Sequence, residues 1–221
     1  MRPAGGSKNQ RKEKKQTGIT DLGKRSAKRL YNYVRTMRII GGKAKGRILK
    51  FPSTSKERPT SDFLRETLFN LLGSLEGKSF LDLFAGSGSV GIEAASRGAK
   101  EVVLIEGNRR IALSLQNNIA ACGLNKECRV ITRNVGDGLG DLFKNKYEFD
   151  FIFADPPYGR GLVEKTIVLL KNNPVWAEES VIIIQHPARE DVVLLLDEKT
   201  ILEDQRKYGD NVLTFLKMEC S

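Results

Sequence analysis

Short apolar runs alternate with longer stretches of helical periodicity through most of the chain. "SFLDLF", "EVVLIE", "CRVIT", "FDFIFA" and "SVIIIQ" read as strands. Between them, "GSVGIEAASRG" and "NRRIALSLQNNIAACG" read as helices closed by Gly98 and Gly123, and "GLVEKTIVLLKNN" reads as a third helix. No helix is read between "CRVIT" and "FDFIFA", where "RNVGDG" carries turn residues. Ahead of the first of these strands, Phe63, Leu64, Leu68, Leu71 and Leu72 recur at helical spacing in "RPTSDFLRETLFNLLGSL". Ser61 or Asp62 can cap that helix, and Gly73 and Gly77 end it. Strand–helix alternation implies a parallel sheet with helices on both faces, and right-handed crossovers make it doubly wound. Two segments depart from the alternation. "MRIIGGKAKGRILKFP" predicts a small hairpin around "GGKAKG", and "KTILEDQRKYGDNVLTFLKM" predicts another around "YGDN". The second adds an antiparallel strand at or near a sheet edge.

Charge adds a feature that periodicity does not show. The 221 residues carry a net charge of +10, and residues 1–36 alone hold eleven Lys/Arg against two Asp/Glu. Such a segment does not fold by itself. It reads as an arm for a polyanion such as RNA, as a solvated tail, or as sequence upstream of a working start at Met37; a transit peptide is a further alternative. Three scattered cysteines, Cys122, Cys128 and Cys220, point to a reducing, cytoplasmic compartment rather than a disulfide framework. The longest purely aliphatic run, "VIII", is too short to span a bilayer, and no secretory signal is expected.

The candidate chemistry lies at strand ends, where doubly wound sheets bind their ligands. "DLFAGSGSVG" places Gly86, Gly88 and Gly91 in G-x-G-x-x-G spacing between a strand and a helix. Glu106 ends the next strand, close to where a carboxylate binds ribose hydroxyls. Together they indicate a nucleoside-containing cofactor. Asp82 discriminates among such cofactors: a carboxylate there repels a pyrophosphate but suits the ammonium of S-adenosylmethionine. Alternatively, Asp82 only accepts amides of the glycine loop. Asn134 either meets the adenine edge or is a plain turn residue.

The fourth strand ends in "DPPYG". Two prolines stiffen the backbone and hold the preceding residues extended. An exocyclic amine on a base is a poor nucleophile, because its lone pair is delocalised into the ring. Asp155 and the Pro156 carbonyl, aimed by the Pro156–Pro157 pair, can accept its two N–H groups. Those bonds strengthen as positive charge develops on nitrogen. Asp155 can then take the proton, and Tyr158 can stack on the base for roughly 1–3 kcal/mol. His186 is the lone histidine, so His-based metal sites and Ser-His-Asp catalysis have little support, and no metal is expected. There is no P-loop.

Taken together, "MRIIGGKAKGRIL", "RPTSDFLRETLFNLL", "LDLFAGSGSVGIEAASRGA", "VVLIE" and "DFIFADPPYGRGL" resemble the RsmD family, from about Met37 to the C-terminus. These are bacterial methyltransferases of a guanine N2 in 16S ribosomal RNA. The resemblance implies a class I S-adenosylmethionine-dependent methyltransferase fold: a mostly parallel seven-stranded α/β sheet with one antiparallel strand, plus an N-terminal hairpin. The implied division is a basic arm over 1–36, the hairpin over 37–56 and the methyltransferase domain over 57–221. The resemblance places S-adenosylmethionine against Asp82, Phe84, Gly86, Gly88 and Glu106, with Thr60 and Arg65 nearby. It places the acceptor base at Asp155, Pro156, Pro157 and Tyr158. It implies RNA contacts from Arg38, Lys43, Lys45, Arg47 and Arg58. The implied partner is 16S rRNA, in a 30S subunit or assembly intermediate, and the implied nucleotide is guanine 966. Related enzymes often meet the adenine with an acid where this chain has Asn134. "DPPY" by itself also fits an adenine-N6 methyltransferase. A silent RNA-binding protein and a nicotinamide-dependent oxidoreductase are the competing classes.

Overall fold

A computed structural model describes residues 35–51, 61–157, 159 and 161–219. Residues 1–34 of the basic arm, Arg58, Thr60 and Tyr158 fall outside these residues. From Arg35 onward the described chain belongs to one compact unit. It starts with an antiparallel hairpin, β1 (Arg35–Arg38) and β2 (Ile48–Phe51). Helix α1 (Asp62–Leu72) follows, capped by Ser61, whose side chain accepts from the Leu64 amide. Then come β3 (Ser79–Asp82), α2 (Gly91–Ser96), β4 (Glu101–Ile105), α3 (Arg109–Cys122) and β5 (Cys128–Ile131). The second half holds α4 (Val135–Lys144), β6 (Phe149–Ala154), α5 (Leu162–Asn172), β7 (Trp176–Pro187), β8 (Thr200–Tyr208) and β9 (Asn211–Met218).

Seven strands form one sheet in the order β5-β4-β3-β6-β7-β9-β8. All but β9 run the same way; β9 is antiparallel to both neighbours. This is the expected doubly wound sheet with a C-terminal hairpin. The central strands are apolar throughout because both faces are covered. On one face Phe80, Leu104 and Phe153 pack against Leu68 of α1, Ile92 of α2 and Leu115 of α3. On the other, Leu81, Val103 and Ile152 pack against Leu139 of α4 and Ile167 of α5.

Helix α4 was not expected. Gly136, Gly138 and Gly140 each lower helix propensity by about 1 kcal/mol relative to alanine. Packing overrides that: a Cβ on Gly138 would lie 2.8 Å from Ile105 Cδ1, so the glycine lets the helix sit directly on β4.

The hairpin's placement follows from two buried polar side chains. Glu93 of α2, fully buried, accepts from the amides of Ile40 (2.8 Å) and Gly41 (2.7 Å) and pairs with Arg97. Asn118 of α3 accepts from the Lys50 amide (2.9 Å) and donates to the Lys50 carbonyl (2.9 Å). The hairpin therefore runs down α2 and back up α3. Its turn packs on Ser96, at the end of α2 away from the strand tips.

Candidate active site

The sheet's order reverses between β3 and β6, and their C-terminal ends lie level, with Asp82 opposite Phe153. The pairing continues one residue further, where the Leu83 amide donates to the Phe153 carbonyl (2.9 Å). Asp82 and Asp155 therefore emerge side by side at the crevice where such sheets bind ligands.

The loop after β3 turns sharply through Gly86 (φ 53°) and Gly88 (φ 83°). Gly88 is required twice over, since a Cβ there would also fall 2.3 Å from Leu115 Cδ1. Two buried side chains brace the loop from behind. Asn118 Nδ2 donates to the Ser87 carbonyl (3.0 Å), and Arg65 Nη1 donates to the Ser89 carbonyl (3.2 Å).

Asp82 is 2% exposed, and its Oδ2 accepts from the Gly91 amide at 3.1 Å. Its Oδ1 is buried without a hydrogen bond. Burial pushes the Asp82 carboxyl up to about 7; the bonded Gly91 amide and the nearby Phe84 amide, which lies outside hydrogen-bond geometry, pull it back, while the charges of Asp155 and Glu106 raise it further. Glu106, at the tip of β4, accepts from the amides of Gly86 (3.0 Å) and Asn108 (2.7 Å). Three carboxylates thus face one crevice, an arrangement hostile to a phosphate and favourable to a cation.

These residues fit S-adenosylmethionine. The orphaned Asp82 oxygen is a ready acceptor for an ammonium group. Glu106, held at the tip of β4 by the Gly86 and Asn108 amides, lies where a carboxylate meets ribose hydroxyls in such folds. The glycine loop leaves room for the backbone to approach the ligand. Phe84, half-buried on the α4–α5 side, flanks the loop.

At the neighbouring tip, Asp155 is half-buried, Pro156 buried and Pro157 exposed. His186 is buried at the end of β7, within 2.8 Å of Thr214 Oγ1 and 3.1 Å of the Pro187 carbonyl. Burial lowers its imidazole pKa, and it serves the strand end rather than a reaction.

Several of the other expected residues engage protein partners. Asn134 lies beyond β5 as predicted, but its side chain caps α4: Oδ1 accepts from the Asp137 amide (2.9 Å) and Nδ2 donates to Asp137 Oδ2 (2.7 Å). A side chain used at both ends as a cap is poorly placed to read an adenine edge. Arg65 is fully buried, donating to Ser89, to the Arg38 carbonyl (2.8 Å) and to Asp62 (2.7 Å). It braces the glycine loop, and its Nε is buried without a hydrogen-bond partner. Lys43 and Lys45 sit on the hairpin turn, at the opposite pole from Asp155, because Glu93 and Ser96 hold that turn against α2. Lys43 is ion-paired with Glu127 there. Arg47 directly precedes β2, and Arg38 pairs with Asp62 at 3.4 Å. Sequence reasoning missed Asn118 and Glu93, whose polarity inside helical patterns was the available signal.

Comparison with known proteins agrees with this geometry. The sequence model of a family described as "Conserved hypothetical protein 95" matches residues 37–217. The chain is 40% identical over 150 residues to ribosomal RNA small subunit methyltransferase D of Escherichia coli, covering 67% of this chain and 74% of that protein. It is 34% identical over 171 residues to the protein of the same name from Haemophilus influenzae, covering 76% and 88%. Among solved structures, a putative methyltransferase from E. coli superposes with a TM-score of 0.72 at 34% identity, covering 85% of this chain and all of that one. Among the described residues no helix is long and apolar enough to cross a membrane. With its fold, the carboxylates at its strand tips and these relatives, the chain belongs to the RsmD family of S-adenosylmethionine-dependent methyltransferases.

Proposed function

We propose that this enzyme methylates the exocyclic N2 of a guanine in small-subunit ribosomal RNA. The observation that carries the reading is the level pairing of β3 with β6, which brings Asp155, the first residue of the Asp-Pro-Pro stretch, near the Asp82 crevice. The relatives from E. coli and H. influenzae bear the name of a small-subunit rRNA methyltransferase, which supports the choice of RNA.

S-adenosylmethionine supplies an electrophilic methyl group on a sulfonium. Asp155 and the Pro156 carbonyl accept the two N–H bonds of the target amine and orient its lone pair toward that carbon. Both acceptors gain strength as nitrogen becomes positive, so they favour the transition state. Asp155 then takes the proton that nitrogen must lose and passes it to water. Tyr158 stacks on the base in this reading.

The RNA approaches along β2 and α3. Lys45, Arg47, Lys50, Arg109 and Arg110 are exposed and form no ion pair among the described residues. Helix α3 contains no acidic residue, so the path from the hairpin turn to the Glu106 edge is cationic along its helical side. Phosphates suit such a stripe. The hairpin thus contacts RNA through its ascending strand as well as its turn.

The test is incubation with labelled S-adenosylmethionine and, separately, 30S subunits, bare ribosomal RNA and DNA, followed by mapping of the modified base. Label on guanine N2 in 16S rRNA is expected; label on adenine, or only in DNA, overturns the reading. Asp155→Ala should lower kcat at least ~100-fold with cofactor affinity nearly unchanged. Undiminished turnover in that variant ends the assigned role of Asp155.

A further inference from the structure

Gln185 is the residue at the site whose chemistry remains unused. It lies on β7, paired with Leu213 of β9. The β6–β7 register ends at Ala154 opposite Ile184, so the next residues, Asp155 and Gln185, are neighbours across the two strands. Their side chains share a face. Phe153, Ile183 and Leu213 belong to the core under α1, and strand alternation returns Asp155 and Gln185 to that side. Asp82 follows Leu81 of the opposite core and points the same way. Phe63 of α1, 66% exposed, meets Tyr208 edge-on at 6.1 Å and forms an aromatic wall on this face.

Gln185 is only 4% exposed, yet its Oε1 has no hydrogen-bond partner. No side-chain hydrogen bond joins its amide to another described residue. Native structures rarely leave a buried amide oxygen unpaired without a reason. Its neighbours along the strand, Ile182, Ile183 and Ile184, are fully buried aliphatics, so an apolar residue could have filled the position.

We propose that Gln185 reads the Watson–Crick edge of the target base and selects guanine. The inference rests on the guanine-N2 reading above. With N2 held by Asp155 and the Pro156 carbonyl, the adjoining N1–H and O6 extend toward the next strand, about 4.8 Å away. Oε1 accepts from N1–H and Nε2 donates to O6. Adenine held by N6 presents an acceptor at N1 and a C–H in place of the oxygen, so neither bond forms in this orientation. The orphaned oxygen is therefore a substrate group's partner left waiting in the free enzyme.

The test uses the full chain and RNA carrying guanine, 2-aminopurine or adenine at the mapped position, assembled into subunits if the wild type requires them. 2-Aminopurine keeps the reacting amine but has an acceptor at N1 and lacks O6. The wild type should prefer guanine over 2-aminopurine by about 10- to 100-fold in kcat/KM. Gln185→Met, of similar shape, should bring guanine down to within a few-fold of 2-aminopurine and leave the 2-aminopurine rate unchanged. Gln185→Glu, which keeps the acceptor for N1–H and loses the donor for O6, should fall between. The Met variant should melt at or above the wild-type temperature, because an unpaired buried polar atom is gone. Three results overturn the proposal: a Met variant that keeps the full preference, one that loses both substrates equally, or one that fails to fold. If the wild type methylates guanine while the Met variant keeps its preference, only the role of Gln185 fails. Methylation of adenine alone by the wild type ends both readings.

Discussion

Asp82→Asn should make the cofactor-free enzyme more stable at neutral pH while weakening its hold on S-adenosylmethionine. The folded protein raises the Asp82 carboxyl from its ordinary 3.8 to about 7, chiefly by burial. At about 1.4 kcal/mol per pH unit, a rise of three units costs about 4 kcal/mol once the group is ionised. The unfolded chain releases this proton near pH 4, and the folded chain keeps it until about pH 7. Between those values the folded state binds more protons, so stability falls as pH rises. The loss is absent below the first value and complete above the second. Asn does not titrate and can still accept from the Gly91 amide. The variant should thus match the wild type near pH 4 and exceed it by up to about 4 kcal/mol at pH 8. Asp150 and Glu127, whose partners hold them below the usual carboxylate range, contribute the opposite slope, but equally in both proteins. Urea denaturation across pH measures the difference. Cofactor binding reports the other half. An ammonium partner favours the ionised carboxylate, so wild-type affinity should rise by up to about 10-fold per pH unit below pH 7 and level off above it. Calorimetry in buffers of different ionisation enthalpy should detect a released proton, and the Asn variant should lose both effects. An Asn variant less stable than the wild type at pH 8, or a wild-type affinity flat between pH 5.5 and 7, refutes the reasoning.

Two further outcomes follow from the loop and the arm. Gly88→Ala places a Cβ 2.3 Å from Leu115 Cδ1 at a φ of 83°; strain and overpacking together should cost about 2–5 kcal/mol in denaturant titration, and a loss under 1 kcal/mol contradicts the geometry. A chain begun at Arg35 keeps β1 whole and loses ten Lys/Arg of the basic arm. If the arm contacts RNA, the slope of log affinity against log salt should flatten by about 0.7 for each phosphate that the arm no longer neutralises; an unchanged slope shows that it does not.

The strand tips were readable because the information is local. Apolar runs mark buried parallel strands, and a residue ending such a run must emerge at the sheet's C-terminal edge. Asp82, Glu106 and Asp155 each end one, and each emerges at that edge. The same locality explains the failures. Gly136, Gly138 and Gly140 argue against a helix by propensity; contact with Ile105, a residue of another strand, decides for it. Lys43 and Lys45 look like ligand-facing cations in a glycine-rich turn, but Glu93, fifty residues further on, anchors that turn to the far pole. Arg65 reads as a site residue, and its bonds to Ser89, Arg38 and Asp62 cannot be seen in the sequence.

Sequence alone therefore determined the elements, their order and the carboxylates at their ends, since hydrophobic period and strand polarity are carried by neighbouring residues. Only the tertiary structure decided which polar groups are already paired and which are left open. Asn134 became a helix cap and Arg65 a loop brace, while Asp82 Oδ1 and Gln185 Oε1 stayed buried without partners. Pairing depends on residues far apart in the chain meeting in space, and no local pattern encodes it.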